Sequence, residues 1–177
     1  MFTIIVILLC LLLNAVLSCL EMAFVTVSRP HLKQIAGKGS QSAQRVLKLK
    51  ETPERTLSVL QIGITLVGAI SAAVGGAGAE EGLSPIIQSR FGLDESTAEA
   101  ISITLIVIPL TYLSVVIGEL VPKTLALKFP MKLVLLGGLF LQMMDKFFSP
   151  VVFVLEISTK IIIRLISKGI PADSTQI

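Results

Sequence analysis

The sequence predicts an all-α membrane protein with three transmembrane helices plus juxtamembrane amphipathic helices. Three observations lead there. Hydrophobic residues make up 53% of the 177-residue chain and charged residues 15%, where an ordinary soluble domain carries about 25% charged; mean hydropathy is +0.87. The apolar residues gather into three runs, each long enough for a bilayer-spanning helix of about 20 residues. The charges gather between these runs, with opposite sign in successive loops. The net charge of +3 therefore reports membrane topology, and no nucleic-acid partner is expected.

Span one covers about residues 2–27, interrupted by Asn14, Ser18 and Glu21. A cleaved signal peptide would need a cationic start, which this segment lacks, and its apolar run continues past Cys19. Cys10 and Cys19 lie on the same helix, so no disulfide framework follows. Residues 28–55 carry Arg29, Lys33, Lys38, Arg45, Lys48, Lys50 and Arg55 against Glu51 and Glu54. Two short helices are expected there, 30–36 and 42–49, separated by Gly37-Lys38-Gly39-Ser40. Their mixed basic and apolar content suits a membrane headgroup layer.

Span two covers about 56–79 and span three about 98–126. Between them lie Glu80, Glu81, Asp94, Glu95 and Glu99 against Arg90 alone. The positive-inside rule makes the basic loop cytoplasmic and the acidic loop external, with the N-terminus outside. Span three then exits inward, where Lys123, Lys128 and Lys132 follow; the membrane is expected to be the cell's inner (plasma) membrane. Residues 131–168 are apolar but interrupted by Asp145-Lys146 and Pro150. The runs left, 133–144 and 147–155, favour short interfacial helices over further spans. Glu156, Lys160, Arg164 and Lys168 recur every four residues, a charged stripe suited to the inner membrane face. The C-terminus is then cytoplasmic; a fourth span would put it outside. Residues 169–177 read as a polar linker.

An ionisable group within a bilayer costs a few kcal/mol, on the order of 3 on the mildest scales, so each needs a reason. On span one, Asn14, Ser18 and Glu21 share one helical face, which should meet protein or water; interhelical hydrogen bonding is the simpler use of Asn14. On span two, Ser58, Gln61 and Thr65 follow helical spacing into a small-residue ridge, Gly68, Ala72 and Gly76, that permits close helix packing or dimerisation.

Span three holds Gly118-Glu119-Leu120-Val121-Pro122-Lys123. Pro122 has no N–H to give the carbonyl four residues back, so the Gly118 oxygen is released beside the Glu119 carboxylate. Two acceptors with no donor favour a cation near both; the alternative is a kinked helix in which Glu119 pairs with Lys123, one turn on. Pro109 reads as a simple kink. Hard cations such as Mg²⁺ and Na⁺ take oxygen ligands, and interrupted helices present them. The available set is the Ser18 and Thr65 hydroxyls, the Gly63 or Gly118 carbonyl and the Glu119 carboxylate. His31 alone among histidines, in a basic loop, gives little support to a soft-metal site. No nucleophile–base pair and no phosphate-binding loop is legible, so an enzyme is not expected.

Leu17-Ser18-Cys19-Leu20-Glu21-Met22-Ala23, Leu60-Gln61-Ile62-Gly63-Ile64-Thr65-Leu66-Val67-Gly68 and Gly118-Glu119-Leu120-Val121-Pro122-Lys123-Thr124-Leu125-Ala126 together resemble the transmembrane domain of CorC/cyclin-M (CNNM) magnesium transporters. The resemblance runs along essentially the whole chain. It implies a homodimer of three-span protomers with a belt of juxtamembrane helices and an external N-terminus. It also implies a following cytoplasmic pair of CBS domains, to which any ATP binding would belong. The implied activity is Mg²⁺ export coupled to Na⁺ entry, with Ser18, Gly63 and Glu119 matching the family's site positions. The chain departs from the common pattern at Ile64-Thr65, where Asn usually follows the glycine, and at Leu20, where a second serine is common. That variant resembles the hemolysin-related bacterial branch, for which polyamines or other divalent metals are alternative substrates. A different class of role is a non-transporting dimeric anchor for a cytoplasmic regulatory domain, which would need the span-two ridge and have no use for Glu119.

Overall fold

The computed structural model describes residues 2–167, with side chains described through Arg164. The linker expected over 169–177, and Lys168 at the end of the charged stripe, lie outside the described residues. The architecture is all α. Three segments are long and apolar enough to cross a membrane: α1 (Phe2–Thr26), α4 (Pro53–Gly82) and the segment Glu95–Lys128. Between the first two lie α2 (Arg29–Gly37) and α3 (Gln41–Leu49), at the expected places. The break between them uses Gly39 at φ 88°, a left-handed conformation that glycine adopts without steric cost.

The acidic loop holds a helix that the charge pattern concealed, α5 (Ser84–Phe91), closed by Gly92 at φ 64°. Asp94 then caps α6 (Glu95–Val115), its carboxylate accepting from the Thr97 N–H at 3.0 Å and the Thr97 hydroxyl at 2.8 Å. These bonds hold the Asp94 carboxyl below the usual carboxylate range. The third span is not one regular helix. After α6 comes a π turn, Val116–Leu120, and then α7 (Val121–Lys128).

The expectation of two short helices over 131–168 is corrected. Residues Pro130–Ser167 form one helix, α8, continuous through Asp145-Lys146 and Pro150. Asp145 does not interrupt it because the carboxylate is paired: Arg55 Nε lies 3.0 Å from Asp145 Oδ1, and the same guanidinium donates to Ser149 Oγ at 2.8 Å. The charge that reads as a breaker in one dimension is a clamp onto α4 in three.

The core collects at the basic-loop end of the bundle. Leu17, Leu20, Ala23 and Phe24 of α1, and Val27 just beyond it, pack with Leu32 of α2, with Ala43, Val46 and Leu49 of α3, and with Val134 and Leu141 of α8. Glycine makes this possible where α8 meets α1, since a Cβ on Gly137 would collide with the Leu20 side chain. Lys50 closes the C-terminus of α1 by donating to the Val27 carbonyl at 2.6 Å, with its ammonium 5.0 Å from the Phe24 ring centre. Burial, and then the neighbouring Arg29, push the Lys50 pKa down. Toward the other end, Ile4, Ile5, Leu8 and Leu12 are exposed, as lipid-facing side chains are.

Candidate cation site

α1 runs antiparallel to α4 and parallel to the third span. Gly63 of α4 meets Leu17, Gly75 meets Ile7 and Gly78 meets Thr3, which fixes the first register; Gly118 meets Asn14, and Lys123 meets Glu21, which fixes the second. The face carrying Asn14, Ser18 and Glu21 therefore looks at the π turn and the start of α7. Ser18, between the other two, sits across from the proline kink.

The π turn changes the carbonyl arithmetic. The Val121 N–H reaches the Val116 carbonyl, five residues back. In that widened register the donor missing at Pro122 belongs to the Ile117 carbonyl; in the α register it belongs to Gly118. Between them these two oxygens are one backbone donor short, where Gly118 alone was expected. Gly118 also lets α1 approach, because a Cβ there would lie 2.9 Å from Asn14 Nδ2.

Opposite these carbonyls, Ser18 is fully buried and Asn14 is 7% exposed, and neither Ser18 Oγ nor Asn14 Oδ1 has a hydrogen-bond partner. A buried polar group left unpaired costs about 1–3 kcal/mol. Ordinary intrahelical satisfaction was open to Ser18, as Ser102 shows by donating to Ala98 O at 2.6 Å. One turn toward the basic-loop end the chemistry reverses. Lys123 Nζ lies 2.5 Å from Glu119 Oε1 and 3.3 Å from Glu21 Oε2, so a single ammonium joins both intramembrane carboxylates. The Glu119–Lys123 pairing left open by the sequence is present, and it extends to Glu21.

Of the five ligand positions read from the sequence, Ser18, Gly118 and Glu119 meet at the α1–span three seam. Gly63 is beside Leu17, where a Cβ would lie 3.1 Å from Leu17 Cδ1 and from Met144 Cε; its visible role is close packing. Thr65 lies apart, its hydroxyl donating to Gln61 O at 2.8 Å. It lines a groove of about 1140 Å³ between α4 and α8, together with Glu21, Glu54, Ser58, Gln61 and Glu156. The ridge residues Gly68 and Gly76 face open space, with no atom within 4 Å of the place a methyl group would take. Among the described residues there is no group of three or more His, Cys, Asp or Glu side chains able to hold a metal, so any ion held here relies on hydroxyl, amide and carbonyl oxygens around one or two carboxylates. The sequence reading missed two participants. Lys123 as a bridge to Glu21 was legible only in the parallel register of α1 and α7. Ser71, 3% exposed and also unpartnered, carried no motif.

A three-span helical membrane domain, with its third span opened by a π turn and a proline beside paired carboxylates, defines the class. Residues 4–177 match the family described as Cyclin M transmembrane N-terminal domain, and the chain belongs to that family. It is 37% identical over 153 residues to a UPF0053 protein of Synechocystis, covering 86% of this chain and 34% of the relative. It is 29% identical over 161 residues to the UPF0053 inner membrane protein YfjD of Escherichia coli, 91% of this chain and 34% of the relative. A polyamine export protein of Haemophilus influenzae is 27% identical over 165 residues, 92% of this chain and 37% of that protein. The chain thus spans about a third of the length of these relatives.

Proposed function

We propose that this domain carries a hard divalent cation, Mg²⁺ foremost, across the membrane as part of an Na⁺-coupled exporter. The observation that carries the reading is Ser18 Oγ, buried without a partner on the α1 face that meets the π turn and Pro122, where the Ile117 and Gly118 carbonyls are one backbone donor short beside Glu119. The ion takes oxygens from Ser18, from the Gly118 or Ile117 carbonyl and from Glu119; Gly63, packed on Leu17, and Thr65, in the α4–α8 groove, stand outside this set. Lys123 acts as the resident counter-charge. With no cargo bound it bridges Glu21 and Glu119, leaving the trio one negative charge in excess, and an arriving cation displaces it, so binding exchanges one cation for another and leaves no carboxylate without a cation beside it. No catalytic step belongs to the domain.

The orientation follows the charge pattern: α2, α3 and the C-terminus cytoplasmic, N-terminus and α5 outside. The open Gly68, Ala72, Gly76 face is where a second protomer would pack in a homodimer. A second reading, polyamine export, draws support from the α4–α8 groove, where Glu21, Glu54 and Glu156 outnumber Arg55 and Lys160, and from the relative named for that activity. The deciding experiment measures Mg²⁺ efflux from loaded liposomes. Glu119→Gln abolishes efflux while leaving assembly intact, and putrescine fails to compete; unchanged efflux sinks the site, and effective competition favours the polyamine. Absence of any cation-dependent stabilisation of the purified protein would favour the anchor role.

A further inference from the structure

We propose that Asn14 and Ser71 line the outward half of the ion's route, at the junction of α1, α4 and α6. The inference rests on the cation-transport reading and extends it from where the ion binds to how it leaves.

Among the described residues, three buried side-chain oxygens have no hydrogen-bond partner: Ser18 Oγ, Asn14 Oδ1 and Ser71 Oγ. They fall on one line. Asn14 lies one turn from Ser18 on α1, about 6 Å along the axis. The contacts that set α4 against α1, Gly63 with Leu17 and Gly75 with Ile7, put Ser71 level with Cys10, about one further turn outward. Gly75, one turn beyond Ser71 on the same face, meets Leu110 and Ile106 of α6 as well as Ile7. Ser71 therefore looks into the place where all three spans converge.

Packing alone does not account for this line. Hydroxyls elsewhere in the chain find acceptors: Ser102, Thr104 and Thr65 donate four residues back within their own helices, to Ala98, Ala100 and Gln61, and buried Thr56 donates to the Leu49 carbonyl. Ser18 and Ser71 sit in helices that offer the same bond, and they leave it unmade. Oxygens at intervals of about one helical turn suit multi-site hand-over, in which no single site holds the ion too tightly to release it. Beyond Ser71 the line is shut. Leu110 and Ile7 close over Gly75, and Thr3 covers Gly78. Pro109, beside Leu110, removes a hydrogen bond from α6 at the level where the seal would part.

The test uses the full-length protein in proteoliposomes, with Mg²⁺ as the probe. Ser71→Ala keeps the Mg²⁺ affinity read from thermal stabilisation, while Mg²⁺ flux falls about tenfold, the rate equivalent of one lost oxygen contact. Ser71→Thr, which keeps the hydroxyl, retains flux. Parental flux in Ser71→Ala overturns the route, as does an affinity that falls in step with flux. Cys10, on the Asn14–Ser18 face, gives a reading that needs no change in the route itself. In a Cys19→Ala background, a membrane-impermeant thiosulfonate applied outside labels Cys10 during Mg²⁺ turnover and not in Glu119→Gln. No labelling under turnover overturns the proposal. A parental protein that neither binds nor moves Mg²⁺ overturns the transport reading itself, whereas parental binding and flux with unaffected variants overturn only the route.

Discussion

Two levels of the helical packing around α1 treat polar groups in opposite ways. At the level nearer the basic loop, Glu21, Lys123 and Glu119 satisfy one another within 3.3 Å. At the middle level, Asn14, Ser18 and Ser71 are more deeply buried and satisfy no one. Charges cannot be left unpaired in a low-dielectric setting, so the chain supplies its own counter-ion. Neutral oxygens cost less to leave open, by enough that a fold can carry a few of them for a ligand that comes and goes.

The largest effect should come from removing the shared ammonium. Lys123→Gln leaves two carboxylates facing each other and lowers stability without divalent cation by about 2–3 kcal/mol, discounted for partial exposure; Mg²⁺ restores it. Thermal unfolding with and without Mg²⁺ checks this, and a Mg²⁺-induced shift equal to that of the parent would erase the contrast between the levels. Gly118→Ala comes next. Its methyl would press on the Asn14 amide, at a cost of about 1–2 kcal/mol and with loss of Mg²⁺-dependent stabilisation, whereas Gly37→Ala, in open space at the end of α2, changes neither.

The difference between those two glycines also marks how much was legible. The spans were readable because lipid demands long apolar runs, and Ser18, Gly118 and Glu119 because a serine, a glycine and an acid stand out against that background. The continuity of α8 was not, since the partner that makes Asp145 tolerable is 90 residues away. Nor was the bridge from Lys123 to Glu21, which depends on a parallel register that no local pattern encodes. The open state of Ser71 is a property of three helices at once; its own sequence neighbourhood would equally allow the bond that Ser102 makes.

A smaller effect sharpens the comparison from the other side. Ser18→Ala removes an oxygen that gains nothing from the fold, so denaturation midpoints stay level or rise by up to about 1 kcal/mol while Mg²⁺ affinity falls; a clear loss of stability would mean the hydroxyl is structurally engaged. The smallest effect lies outside the seam, at the α6 cap. The Asp94 carboxyl is held below its usual range by Thr97, so its contribution is complete above the ordinary carboxylate pKa of about 4 and is lost as pH falls through the lower folded value. Amide exchange at Thr97 and Ala98 should quicken over that acid window in the parent, and Asp94→Asn should abolish the pH dependence.

The continuity of α8 has a mechanical consequence. Its first part is fastened by Gly137 against α1 and by Arg55 against Asp145 and Ser149; beyond Val152 every described side chain is exposed. Such a helix has the geometry of a lever whose anchored part ends at Val152. The arm beyond, residues 153–167, is about 22 Å long at 1.5 Å per residue, so a tilt of about 10° at its base would sweep its tip by roughly 4 Å. Small adjustments where α4 holds Arg55 would be magnified at the far end of α8.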